Sequence, residues 1–234
     1  LRVTLAARGS QTGAYDAQLR ALAFARLAEK LACPVASVRR ERPRLAELLA
    51  ALTTRPAWLG DVQVANDGRL TLLLETRPAE GELIAPGDAA VRYRSGAEDE
   101  VPTSPGERRL AADYVCMRAL DYLTAHLWRQ RVMIADRRIW LVDSDRAFRP
   151  YIAAAALDTL LEPLASVRRF PADFVAALER TRLEQIADIL TYADHQDRIW
   201  GPRQRADFAE RRATLLSFIG ALRDKYGEEE ALSL

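Results

Sequence analysis

The chain has 234 residues, 34 basic against 33 acidic, a formal net charge of +1, and 49% hydrophobic and 29% charged residues. This is the composition of a soluble globular protein with material for one large domain or two lobes. The charge balance gives no general reason to expect nucleic acid or an anionic membrane as partner. No apolar run approaches the roughly 20 residues of a membrane span.

No secretory signal pattern opens the chain. It starts at Leu1 rather than Met, which fits a trimmed N-terminus. The compartment stays open; a soluble protein of a bacterial cytoplasm is the expectation. Lysine and asparagine are scarce: Lys30 and Lys225 are the two lysines, and Asn66 is the single asparagine. Cys33 and Cys116 match no CxxC or zinc spacing and read as buried inert thiols, with a disulfide between them left open.

In chain order, "LRVTLAA" reads as a strand, and "RGSQTGAYD" supplies turn residues. From Asp16 to Ala32, Leu19, Leu22, Ala23, Leu27 and Leu31 recur at helical spacing. Pro34 ends that helix; "VASVRRE" then reads as a strand and "RLAELLAAL" as a short helix. Between Asp61 and Glu75, "VQVA" and "RLTLLLET" flank "NDG", the pattern of a β-hairpin with a tight turn. Pro78 to Gly106 is rich in Pro, Gly and acidic residues and reads as an exposed linker or an ordered loop.

Beyond Glu107 helices dominate. "ERRLAADYVCMRALDYLTAHLW" reads as one strongly amphipathic helix with Leu110, Tyr114, Met117, Leu120 and Leu123 inward. "QRVMIADRRIWLVDS" reads as two short strands about an Ala-Asp-Arg turn. Four helical segments follow at 151–165, 172–180, 182–191 and 204–224, with Pro150, Pro171 and Pro202 near the starts of three of them. "DKYGEEEALSL" reads as a frayed charged tail.

The expectation is an α+β, two-lobed fold: a small β-rich lobe over 1–78, a linker over 79–106, and a larger helical lobe over 107–234. A nucleotide would bind in the cleft between such lobes.

The segment "RRIWLVDSDRAF" places Asp143 directly after an apolar strand, with Phe148 five residues on. It resembles the metal-binding segment of the atypical protein-kinase-like superfamily of Golgi secretory-pathway kinases, HipA-type toxin kinases and bacterial phosphatidylinositol 3/4-kinase-like proteins. "ALDYLTAHLWRQRVMI" is similar to that superfamily's catalytic loop, "AQLRALAFARLAEKLACPV" to its small-lobe helix and following strand, and "AERRATLLSFI" to its C-terminal helices. The resemblance covers about two-thirds of the chain and implies a two-lobed kinase-like fold, with Asp143 at the position of the magnesium-chelating aspartate.

The same resemblance implies missing chemistry. Phosphoryl transfer asks the protein for positioning and charge neutralisation. Where the first strand needs a phosphate-holding Lys the chain has Ala6 or Ala7, and where the helix needs its Glu it has Ala21, with Asp16 and Gln18 about a turn earlier. Gly-Asn-x-Asp-Arg of the catalytic loop becomes Ala125, His126, Leu127, Trp128 and Arg129. Trp128 cannot accept a proton, and Asn66, the only asparagine, sits in the expected hairpin turn, so no Asn supplies the second metal ligand. No Gly-rich phosphate loop is visible.

The resemblance therefore implies a pseudokinase, an interaction or allosteric module for a protein partner such as an active kinase or another enzyme, with no cofactor. One alternative is an atypical phosphotransferase or nucleotidyltransferase in which Asp143 and Asp145 hold Mg or Mn with ATP. Another is a helical binding module unrelated to kinases.

Other residues carry both functional and ordinary readings. His126 reads as a general base or as a structural residue at the end of the long helix, and His195 as a surface histidine. Trp128 and Trp140 read as fillers of the former nucleotide cleft or as core aromatics. Arg39, Arg40, Arg42 and Arg44 read as an anion site or as a solvated face balanced by Glu41 and Glu47.

Overall fold

The computed structural model describes residues 2–5, 13–51, 67–70, 72–98, 100–149, 152–190 and 199–234. Six strands and nine α-helices are formed among them. The first sheet takes β1 (Arg2–Leu5), β2 (Ser37–Glu41) and β3 (Leu72–Thr76) in the order β1-β3-β2, all antiparallel. Against it packs α1 (Gly13–Lys30), with Ala21 and Leu22 facing Val38 of β2. After β2 the chain forms α2 (Leu45–Ala51).

The sheet corrects the expected hairpin. Central β3 is paired along both edges, Val3 and Val38 flanking Leu74 and Glu75, so its neighbours are β1 and β2. The expected first arm, "VQVA", lies outside the described residues, as does Asn66.

The second sheet takes β4 (Glu82–Ile84), β5 (Val132–Ala135) and β6 (Arg138–Leu141) in that order, again antiparallel. The β5–β6 turn is the one anticipated: Asp136 and Arg137 both have positive φ, 51° and 56°, the geometry of a two-residue turn that follows the strand twist. Segment 34–36 runs beside the end of β6, through Leu141 N–H to the Pro34 carbonyl and Ala36 N–H to the Leu141 carbonyl. This joins the two sheets by backbone hydrogen bonds.

The region read as linker or loop is built into the fold. It holds β4, then α3 (Pro86–Tyr93), then a 3₁₀ turn at Ser95–Ala97, and it buries Ile84, Ala89 and Ala97. Arg169 donates to the Glu98 and Glu100 carbonyls and fastens the segment to the helical region. Composition concealed this because three small or aliphatic residues suffice to dock a segment whose remaining side chains are solvated.

At the centre lies α4 (Pro105–Thr124), opened by a capping box between Ser104 and Glu107. Tyr114, Met117, Leu120 and Leu123 are buried as expected, while Leu110 is half-buried. The helix is not amphipathic in the expected way: from Ala111 almost every side is covered, including Asp113 and Asp121. A helix enclosed all round needs partners for its polar residues, and both aspartates have arginines.

Then follow α5 (Ala154–Ala165), α6 (Ala172–Arg180), α7 (Leu183–Leu190) and α8 (Pro202–Tyr226), matching the four segments expected; α5 and α8 pack on α4, and α7 packs on α1. The tail is not frayed. Gly227 turns the chain at φ +86°, α9 (Glu228–Ala231) follows, Ala231 is fully buried, and its carbonyl accepts the Phe170 N–H at 2.8 Å.

Candidate functional site

The site is built from the end of α4 and the end of β6. Ala125 ends α4 in the left-handed conformation (φ 51°); its N–H donates to the Tyr122 carbonyl and the His126 N–H to the Asp121 carbonyl at 2.8 Å. That pair of bonds is a Schellman stop, which glycine normally occupies because a Cβ there costs roughly 1–2 kcal/mol. The following loop is clipped back by Arg129. Its Nη2 lies 2.6 Å and its Nε 3.0 Å from Asp121 Oδ1, its Nη1 donates to the Val142 carbonyl at 2.8 Å, and its guanidinium covers the Phe24 ring of α1. Burial raises the Asp121 carboxyl above its ordinary range, against the pull of Arg129.

Asp143 leaves β6 with φ 54° and keeps its side chain 9% exposed. Both carboxylate oxygens accept from guanidiniums: Oδ1 from Arg77 Nη2 at 2.9 Å, and Oδ2 from Arg131 Nε at 3.1 Å. Arg77 directly follows β3 and also pairs with the buried Glu75. The result is a Glu75–Arg77–Asp143–Arg131 chain of alternating charge that bridges the two sheets.

Both oxygens of Asp143 already serve cations, Asp145 is exposed, and the described residues contain no cluster of three or more His, Cys, Asp or Glu suited to a metal. Phe148, the aromatic of the motif, is buried in a left-handed conformation, and its N–H donates to the Thr124 carbonyl at 2.7 Å.

His126 is fully buried, tilted against Phe24, with Nδ1 3.5 Å from Asp121 Oδ1 and no ring hydrogen bond among the described residues. Burial first, then the charges of Arg129, Arg146 and Arg149, hold its pKa well below the usual value of 6.5. A depressed folded pKa means a stabilising contribution present above about pH 6.5 and lost as pH falls, at up to about 1.4 kcal/mol per unit. We expect the urea midpoint to fall between pH 7 and 5, and His126→Gln to flatten that fall. Asp113 and Asp121, both raised by burial, act with opposite sign at lower pH, but they are common to both proteins and cancel in the comparison. Equal slopes would refute the assignment.

Trp128 does not fill a cleft: it stands 47% exposed, with the Arg149 guanidinium 5.0 Å above its ring. Trp140 packs with Ala36, Met133 and Val142, its Nε1 donating to the Ala135 carbonyl. Ala21 is buried, Gln18 is buried beside it on α1, and Lys30 is exposed at the helix end. Ala6, Ala7, His195 and the Asp16 side chain lie outside the described residues. Arg39 pairs with Glu41 and Arg42 with Asp67 at the surface, as a solvated face would. The cysteines are free and both buried; the Cys33 thiol donates to the Leu31 carbonyl at 3.6 Å and is pushed up in pKa by burial. Sequence reasoning missed Arg77 and Arg131, which carry no motif and meet Asp143 only through the fold.

Two antiparallel sheets joined at β6, a buried central helix and a loop between them define an α+β kinase-like fold. Solved structures share it. A hydra Fam20 structure with sugar superposes with a TM-score of 0.58 at 11% identity, over 91% of this chain and 73% of that one. The Golgi casein kinase crystal structure gives 0.60 at 13% identity, over 92% of this chain and 63% of that one. No protein-family model matches the sequence, and no curated protein matches it.

Proposed function

We propose that this chain is a catalytically degenerate kinase-like protein, a pseudokinase, that works by binding a protein partner such as an active kinase or another enzyme. The observation that carries the reading is Asp143 held on both oxygens by Arg77 and Arg131, two cations where a metal ion would be needed. The loop position that the resemblance assigns to a catalytic carboxylate is the exposed Trp128 beneath Arg149, and Trp with Arg are residue types that anchor protein interfaces. The two-lobed division, with 1–78 as small lobe and 107–234 as large lobe, belongs to the same reading.

Thermal unfolding with and without ATP and Mg²⁺ or Mn²⁺ tests it. A bound ligand at 100 times its dissociation constant adds about 2.7 kcal/mol, or roughly 5–10 °C for a chain of this size. The pseudokinase reading expects no metal-dependent shift. A shift of that size, abolished by Asp143→Ala, would instead establish the phosphotransferase reading with Asp143 and Asp145 as metal ligands.

A further inference from the structure

A second site lies at the other end of β6. A cavity of about 330 Å³ opens between the start of α4, the start of α6 and the β5–β6 hairpin. Arg108, Arg109 and Arg138 line it, with Asp113 and Asp173 as its acids and Cys116 in its wall. Arg138 is committed: its Nε and Nη2 fork onto Asp113 at 2.7 and 2.9 Å. Arg108 and Arg109 form no ion pair among the described residues, and the charge of Arg109 is felt at the Asp113 carboxyl. Arg137, from the left-handed hairpin turn, brings its side chain to within 3.5 Å of the Cβ position of Gly106 in the first turn of α4.

Arg108 and Arg109 stand near the start of α4, against the helix dipole. The start of a helix carries partial positive charge, and cations there are disfavoured by about 0.3–1 kcal/mol each. Local rules broken in a cluster mark functional positions more often than structural ones. Guanidiniums lining a concave space offer charge-assisted, forked donors, a chemistry that suits phosphate. The Asp173 carboxylate on the facing wall accepts hydroxyl donors but repels a second anionic group, which limits the ligand to one anionic end and one hydroxylated end.

We propose that this cavity binds a small hydroxylated phosphate monoester, its phosphate on Arg108 and Arg109 and its hydroxyls toward Asp173. Asp143 is not among the residues lining the cavity, and it follows Arg138 by five residues, at most about 16 Å even along a fully extended strand. The site is therefore independent of the pseudokinase reading.

Calorimetric titration of the full chain with glycerol 3-phosphate, and separately with inorganic phosphate at matched ionic strength, tests the proposal. We expect saturable binding of glycerol 3-phosphate, with the dissociation constant raised roughly tenfold or more in Arg108→Gln/Arg109→Gln. Both side chains are exposed, so the variant should fold, which its melting curve checks. Asp173→Asn should bring glycerol 3-phosphate closer to inorganic phosphate, and Asp143→Asn should leave both constants unchanged. No saturable binding, or binding indifferent to the arginine pair, would overturn the assignment. Loss of binding on Asp143→Asn would tie the ligand to the Asp143 segment and also overturn it.

Discussion

Arg129→Met is expected to lower the unfolding free energy by roughly 3–5 kcal/mol, because it leaves Asp121 buried without its counter-charge. The guanidinium does more than pair with Asp121. It ties the loop after α4 to the Val142 carbonyl and lies over Phe24, so three parts of the fold meet on one side chain. For a chain of this length the loss corresponds to a melting temperature lower by about 6–20 °C. The loss should shrink as pH falls through the carboxylate range, since protonated Asp121 needs no cation. Asp121→Leu in the same background should recover part of it, as a buried pair replaced by apolar groups is often near neutral. Additive losses in the double variant would show that the pair is not coupled.

Trp200→Ala is the second large effect, at roughly 3–5 kcal/mol. Trp200 is 4% exposed and meets Phe208 edge-on at 5.3 Å and Phe148 at 6.1 Å, holding the end of the Asp143 segment against α8. Each aromatic pair adds about 0.5–1.5 kcal/mol beyond its buried area. Its Nε1 has no hydrogen-bond partner among the described residues, so Trp200→Phe sacrifices no polar contact and should lose much less. Denaturant melts of both variants decide this. A loss in Trp200→Ala no greater than in Trp200→Phe would mean that the aromatic cluster does not hold the segment.

How much was legible follows from the range of each interaction. The helices α1 and α4 to α8 and the β5–β6 hairpin were readable because apolar spacing, proline positions and turn residues act within a few positions. The segment 79–106 was misread because its buried residues are sparse, and the tail because acidic exposed positions outweigh the buried Ala231. The β3 pairing was misread because a neighbouring strand is the default partner, whereas both edges are taken by strands much earlier in the chain.

The sequence by itself determined the α+β kinase-like fold, through the order of weak motifs centred on Asp143, and it determined what residue types are absent: lysines other than Lys30 and Lys225, and any asparagine other than Asn66. Only the tertiary structure decided the state of Asp143. Arg77 is 66 residues away along the chain and Arg131 is 12, and nothing in either position's local pattern foretells an ion pair. Charge pairing across such separations is fixed by where the sheets come together. That contact, not composition, puts two guanidiniums on the Asp143 carboxylate.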